Sequence, residues 1–145
     1  MKRTAFVNGT VVLPDRPLDG GMVCCEDSKI VYVGQRHSLA DDFEIIDADG
    51  GVIAPGFIDI HVHGGAGADF MDGTPRAVIT ACAAHLRHGT TTIFPTTTTG
   101  SFQQIMDMIN ACAVAEQQLS PTSTKAARIA GVHLYGPYFA EDKVG

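Results

Sequence analysis

The sequence predicts an α/β fold in two parts, a small β module followed by parallel βαβ units. Short β-prone runs separated by turn residues fill positions 1–53. Beyond Ala54-Pro55-Gly56, strand-like runs alternate with helical periods. The composition, 45% apolar and 18% charged over 145 residues, is that of a chain with a buried core and about one domain's worth of material.

In the module, residues 4–7 and 10–13 flank Asn8-Gly9, a strong two-residue hairpin signal, and read as a hairpin. Residues 22–26 and 30–33 flank Asp27-Ser28-Lys29 and read as a second one. A third pair, 44–47 and 52–53, surrounds Ala48-Asp49-Gly50-Gly51. After the break, 57–63 reads as a strand. Residues 75–88 read as a helix with Thr74 as N-cap, Pro75 in the first helical position and Gly89 just past the end. Its Val78, Ala81, Cys82 and His85 form one stripe. Residues 90–95, rich in β-branched side chains, read as the second strand. A second helix over 101–119 opens with the capping pair Ser101 and Gln104 and carries Ile105, Met108, Ile109 and Cys112 on one face. A loop at 121–125 leads to a third strand over 128–134. Three strands and two helices cannot cover both faces of a parallel sheet, and a (β/α)8 barrel typically takes ~250 residues. The expected organisation is a β module over 1–53 and the first three strands of a truncated (β/α)8 TIM-type barrel over 54–145. Such a chain is expected to be the N-terminal portion of a longer protein, a fragment or an interrupted gene product, and to be poorly stable alone.

The formal charge is −6, with no run of Lys or Arg, which argues against nucleic acid or an anionic membrane as a partner. No stretch reaches the ~18 apolar residues of a membrane span. Met1-Lys2-Arg3 is basic, but Asn8 and Gly9 interrupt the apolar stretch that a secretory signal needs, so a cytoplasmic location is expected. Cys24, Cys25, Cys82 and Cys112 lack Cys-x-x-Cys spacing and read as packing residues, not as a disulfide framework or a thiolate zinc site.

Chemistry concentrates in Asp59-Ile60-His61-Val62-His63-Gly64. Strand alternation sends Asp59, His61 and His63 to one face and Ile58, Ile60 and Val62 to the other. The two histidines then sit at the C-terminal end of a barrel strand, where barrel enzymes hold their active sites. Imidazoles two residues apart on a strand can tilt onto one ion at ~2.0–2.1 Å. A solvent-facing histidine pair is the plain alternative.

The segment Val52-Ile53-Ala54-Pro55-Gly56-Phe57-Ile58-Asp59-Ile60-His61-Val62-His63-Gly64 resembles the opening of the amidohydrolase-superfamily barrel. Four further segments narrow the resemblance to the N-acetylglucosamine-6-phosphate deacetylase family. They are Gly65-Ala66-Gly67-Ala68-Asp69-Phe70-Met71-Asp72, Gly89-Thr90-Thr91-Thr92, Pro95-Thr96 and His133-Leu134-Tyr135-Gly136-Pro137. The resemblance implies that 1–53 is part of a composite β-sandwich. It also implies a metal-dependent amidohydrolase acting on an amino-sugar phosphate, N-acetylglucosamine 6-phosphate, and releasing glucosamine 6-phosphate and acetate. The implied cofactor is a divalent ion, zinc or iron, held by His61 and His63. Such an ion lowers the pKa of bound water from 15.7 toward ~7. The family's other histidine ligands and its proton-shuttling aspartate come from later strands, beyond residue 145, so the chain alone is expected to be inactive. A homodimer is an assembly open to the longer protein.

One position departs from the family. Tyr135 stands where the resemblance puts a metal-binding Glu, and alternation groups it with Ile129, Gly131 and His133 on the inward face. A neutral phenol is a poorer ligand than a carboxylate. Three readings stay open: the ion rests on His61 and His63 with later ligands, Glu141 reaches back to it, or the activity has changed. Asp59 is read as hydrogen-bonding a ligating histidine, and His133 as packing beside the ligands. Gly64, Gly65 and Thr96 are candidates for the substrate side, with turn flexibility and β-propensity as their plain explanations. Asp69 and Asp72 read as loop caps, His85 and His88 as ordinary helix residues, and His37 as solvated. Two rival functions remain: another cyclic or linear amide hydrolase of the superfamily, or a non-catalytic barrel homologue.

Overall fold

The structure is a computed structural model that describes residues 2–119, 124–136 and 138–143. It divides into two units, Met1–Pro55 and Gly56–Gly145. Part of the expected loop at 121–125, and Pro137 of the third-strand motif, lie outside the described residues.

The first unit is one mixed sheet of β1 (Arg3–Val12), β2 (Pro17–Glu26), β3 (Lys29–Gln35), β4 (Glu44–Asp47) and β5 (Val52–Ile53). The order is β3-β2-β1-β4, with β5 also paired to β1. Two expectations are corrected here. Asn8-Gly9 is not a hairpin turn, because β1 runs straight through it. Phe6 faces Val23 and Gly9 faces Gly21, so one extra residue bulges out of β1. Asn8 takes a left-handed φ of 57° and donates from its amide to the Asp47 carboxylate at 2.8 Å. Nor do β4 and β5 pair with each other, since each lies parallel to β1. The β2–β3 hairpin forms with Asp27 and Ser28 as its two loop residues. Ala5, Val7, Met22 and Cys24 make the small core, with Tyr32, Leu39 and Phe43 against it. On the rest of the sheet Ile30, Val33, Ile46 and Val52 stay exposed.

The second unit starts with β6 (Phe57–Val62), then a short antiparallel pair, β7 (Gly64–Gly65) and β8 (Ala68–Asp69), and a single 3-10 turn. Helix α1 (Pro75–Leu86), strand β9 (Thr90–Pro95), helix α2 (Phe102–Gln118) and strand β10 (Arg128–Ile129) follow. The strands β10-β9-β6 are parallel, so β9 is central. The capping chemistry is as the sequence predicts: the Thr74 hydroxyl accepts from Ala77 N–H, and Ser101 and Gln104 cap α2 reciprocally. Asp69 and Asp72 cap the 3-10 turn in the same reciprocal way. Val78, Ala81 and Cys82 of α1 meet Met108, Ala111, Cys112 and Ala115 of α2 over Ile93 and Ile129. Small residues on both helices let them lie close over the sheet.

The third strand is shorter than the expected 128–134. Ile129 faces Ile93 and His133 faces Thr96, so 129 to 133 of the outer segment is matched by only 93 to 96, the end of β9 and the residue after it. The extra residue falls where Pro95 has no N–H for the ladder. It also breaks the predicted alternation. Ile129 joins the core with the helices, whereas His133 and Tyr135 lie beside the histidines of β6.

Burial pushes the Cys82 thiol up to about 12 and the Cys112 thiol to about 11. In native protein at pH 8, a colorimetric thiol reagent is therefore expected to leave Cys82, Cys112 and buried Cys24 unmodified and to reach only half-buried Cys25. All four are expected to react in denaturant. A Cβ at Gly9 would stand 2.7 Å from the Gly51 carbonyl oxygen. Gly9→Ala is thus expected to destabilise the module by about 1–3 kcal/mol, read as a lowered chemical-denaturation midpoint.

Candidate metal centre

Strand β6 carries Asp59 and His61, and His63 follows at the step into β7. From Asp59 to Val62 it advances three residues while β9 advances two, from Ile93 to Pro95. This bulge lies beneath His61, and such bulges re-aim side chains. The result is convergence: His61 Nε2 and His63 Nε2 are 3.3 Å apart, with ring centroids at 5.2 Å and planes at 77°. That is long for a hydrogen bond. Two nitrogens ~2.0–2.1 Å from one tetrahedral ion lie about 3.3–3.4 Å from each other, so the spacing is that of neighbouring ligands on one ion. His63 Nδ1, on the far side of the ring, is buried without a hydrogen-bond partner among the described residues. Neutral imidazoles suit zinc, iron and related ions. The residues fit a divalent cation.

His133 and Tyr135 stand around the pair. His133 Nδ1–H donates to the Ile60 carbonyl at 2.7 Å, which fixes the tautomer and leaves a lone pair on Nε2. Its ring meets His61 edge-on at 4.9 Å. The Tyr135 ring lies 4.8 Å from that of His61 and 6.1 Å from that of His63, with Phe139 4.9 Å away. The expected grouping of His61, His63, His133 and Tyr135 is therefore present in space.

Other candidates fall elsewhere. The Asp59 carboxylate accepts from the His61 backbone N–H at 3.1 Å, so its recorded contact fixes main chain, not a ring. Glu141 opens an exposed 3-10 turn. Among the described residues no three His, Cys, Asp or Glu side chains gather to hold a metal, so Glu141 does not reach back to the pair. Thr96 is fully buried, and its hydroxyl is committed to Val62 N–H and Phe94 O. It is not free to bind a sugar phosphate. Gly64 owes its identity to packing, since a Cβ there would stand 2.2 Å from the Ala68 carbonyl oxygen. Gly65 pairs with Ala68 in the β7–β8 ribbon.

Two supporting residues were not legible in the sequence. His85, read as an ordinary helix residue, reaches from α1 to Gly64 O at 2.9 Å and secures the turn after the histidines. The buried Thr97 hydroxyl accepts from Tyr135 N–H at 2.8 Å and donates to Tyr135 O at 3.0 Å. Both depend on partners many positions away, and the only local signal was the run of threonines ending β9.

No family model matches the chain. The N-acetylglucosamine-6-phosphate deacetylase of Lysinibacillus sphaericus is 31% identical to it, over 85% of this chain and 30% of the relative. The crystal structure of N-acetylglucosamine-6-phosphate deacetylase from Pasteurella multocida has the same fold, with a TM-score of 0.84 at 24% identity over 97% of this chain and 36% of that one. A mutant of the Mycobacterium smegmatis N-acetyl-D-glucosamine-6-phosphate deacetylase, solved in complex with N-acetyl-D-glucosamine-6-phosphate, matches with a TM-score of 0.75 at 25% identity, over 97% of this chain and 34% of that one. Over most of its own length the chain is similar to N-acetylglucosamine-6-phosphate deacetylases. It spans about a third of the length of the curated relatives it matches.

The histidine pair is the feature to test directly. In the protein carrying this sequence, His61→Ala combined with His63→Ala is expected to lower bound divalent metal at least ten-fold by elemental analysis after exhaustive dialysis. Metal content equal to that of the unmodified protein would show that these rings do not hold it.

Proposed function

We propose that this chain is part of a metal-dependent amidohydrolase that removes the acetyl group of N-acetylglucosamine 6-phosphate. The carrying observation is the 3.3 Å approach of His61 and His63 Nε2 at the C-terminal end of a parallel strand. The deacetylase names borne by its relatives support it. In this reading β6, β9 and β10 are the first three strands of a (β/α)8 barrel, and the N-terminal sheet is one layer of a composite β-sandwich. The exposure of Ile58 and Ile60 on β6, at 65% each, supports further elements beside that strand. No helix among the described residues is long and apolar enough to cross a membrane, and a cytoplasmic setting is part of the proposal.

His61 and His63 would hold the ion, zinc or iron, through their Nε2 atoms. When bound, a divalent ion supplies Lewis acidity, making water acidic enough to yield hydroxide near neutral pH and drawing charge from an amide carbonyl. The chain's own residues orient that site. The Ile60 carbonyl fixes the proton of His133 on Nδ1, the Asp59 carboxylate holds the His61 main chain, and His85 fastens the turn behind His63. Tyr135 walls the site beside His61. It stands where the family resemblance puts a carboxylate ligand, which favours a single bound ion and, as a second reading, an altered amide substrate.

The protein carrying this sequence is expected to release acetate from N-acetylglucosamine 6-phosphate in a metal-dependent manner. Failure on every N-acetylhexosamine 6-phosphate, with hydrolysis of a dipeptide or cyclic amide instead, would favour the second reading. The 145-residue chain by itself is expected to release none. Tyr135→Glu is expected to raise the metal count by up to one ion per chain, and an unchanged count would show that residue 135 does not face the ion.

A further inference from the structure

Strand β9 ends in a hydrogen-bonding arrangement that ordinary sheet pairing does not require. Its central position makes its last residues the link between β6, which carries the histidine pair, and the segment that carries His133 and Tyr135. At the β6 side the contact is Thr96. Its N–H donates to Val62 O at 2.9 Å, as a parallel ladder demands. The return bond is different. Val62 N–H donates at 2.9 Å to the Thr96 hydroxyl, and that hydroxyl donates at 3.1 Å to Phe94 O. The side-chain oxygen thus stands between an N–H and a carbonyl that would otherwise meet directly.

Val62 is the residue between His61 and His63, so the Thr96 hydroxyl holds the His61–Val62 peptide and the Thr96 N–H holds the Val62–His63 peptide. It also sits where β6 carries its extra residue, the place at which register is least secured by the ladder itself. Thr96 is 0% exposed, so no water can take the place of its hydroxyl.

We infer that Thr96 is a positioning residue of the metal centre, its hydroxyl setting the spacing of His61 and His63 by holding the Val62 peptide away from Phe94. This rests on the reading that the pair binds a divalent ion. Valine at 96 removes the relay and leaves the Val62 N–H and the Phe94 carbonyl to close on each other or remain unpaired. Either outcome re-aims the rings. Serine at 96 keeps the relay.

The test is titration of the metal-free protein carrying this sequence with Co(II), reading the dissociation constant and the visible ligand-field spectrum, alongside thermal melting. Thr96→Val is expected to weaken Co(II) binding ten-fold or more and to shift the spectrum, whereas Thr96→Ser stays within two-fold of the unmodified protein. Thr90→Val makes the same change at the buried first residue of β9, away from the histidines, and is expected to bind as the unmodified protein does. If Thr96→Val does not fold, Thr96→Cys replaces the hydroxyl with a weak donor of similar size and is expected to show the same loss. Co(II) binding and spectrum unchanged in Thr96→Val, or in Thr96→Cys where that variant stands in, overturn the inference. An equal loss in Thr90→Val or Thr96→Ser also overturns it. Unmodified protein that binds no Co(II) removes the functional reading and this inference together. Wild-type-like Thr96→Val in a protein that does bind removes the inference alone.

Discussion

The chemistry proposed for this chain depends on one geometric constraint, two imidazole nitrogens brought to 3.3 Å from side chains two residues apart in sequence. An extended backbone separates such residues by roughly 6.5–7 Å, so the rings must lean toward each other. They do so over a bulge in β6, with the strand held to β9 by both main-chain bonds and a threonine hydroxyl. Every neighbour of the pair restricts that leaning. Asp59 fixes the His61 main chain, His133 packs edge-on against the His61 ring, and His85 fastens the turn behind His63.

That arrangement needs a firm platform, and the second unit supplies it with modest means. Its helices meet through alanine, cysteine and methionine, and bulky side chains are few. Close helix approach keeps Ile93 of β9 fully buried, and β9 in turn locates both sides of the site. Apolar side chains on β6 and on the N-terminal sheet, Ile58, Ile60, Ile30 and Val52 among them, stay exposed.

Tyr135 is held beside the histidines by its main chain as well as by its ring. The buried Thr97 hydroxyl grips its main chain at both N–H and C=O, and Phe139 packs on its ring. Its main chain is therefore held beside the histidines by Thr97, and its ring by Phe139. A phenol there adds bulk and a neutral hydroxyl where a carboxylate would add charge.

How much of this was legible in the sequence differs from element to element. Local signals were sufficient for both helices, because Thr74, Pro75 and the Ser101–Gln104 pair act within one turn of the chain they cap. They were sufficient also for the first two parallel strands and for the histidine pair, whose residue types and spacing are written in consecutive positions. They failed at Asn8-Gly9, where a turn-forming dipeptide became a bulge because partners on both sides of β1 held the strand straight. They failed again after Ile129, where one extra residue reversed the predicted alternation. The commitment of Thr96 to a main-chain relay and the reach of His85 to Gly64 were equally invisible. Periodicity fixes what a residue can do in its own element, but a bulge or a long-range hydrogen bond is decided by the register of a neighbouring strand. That register exists only once the chain has folded.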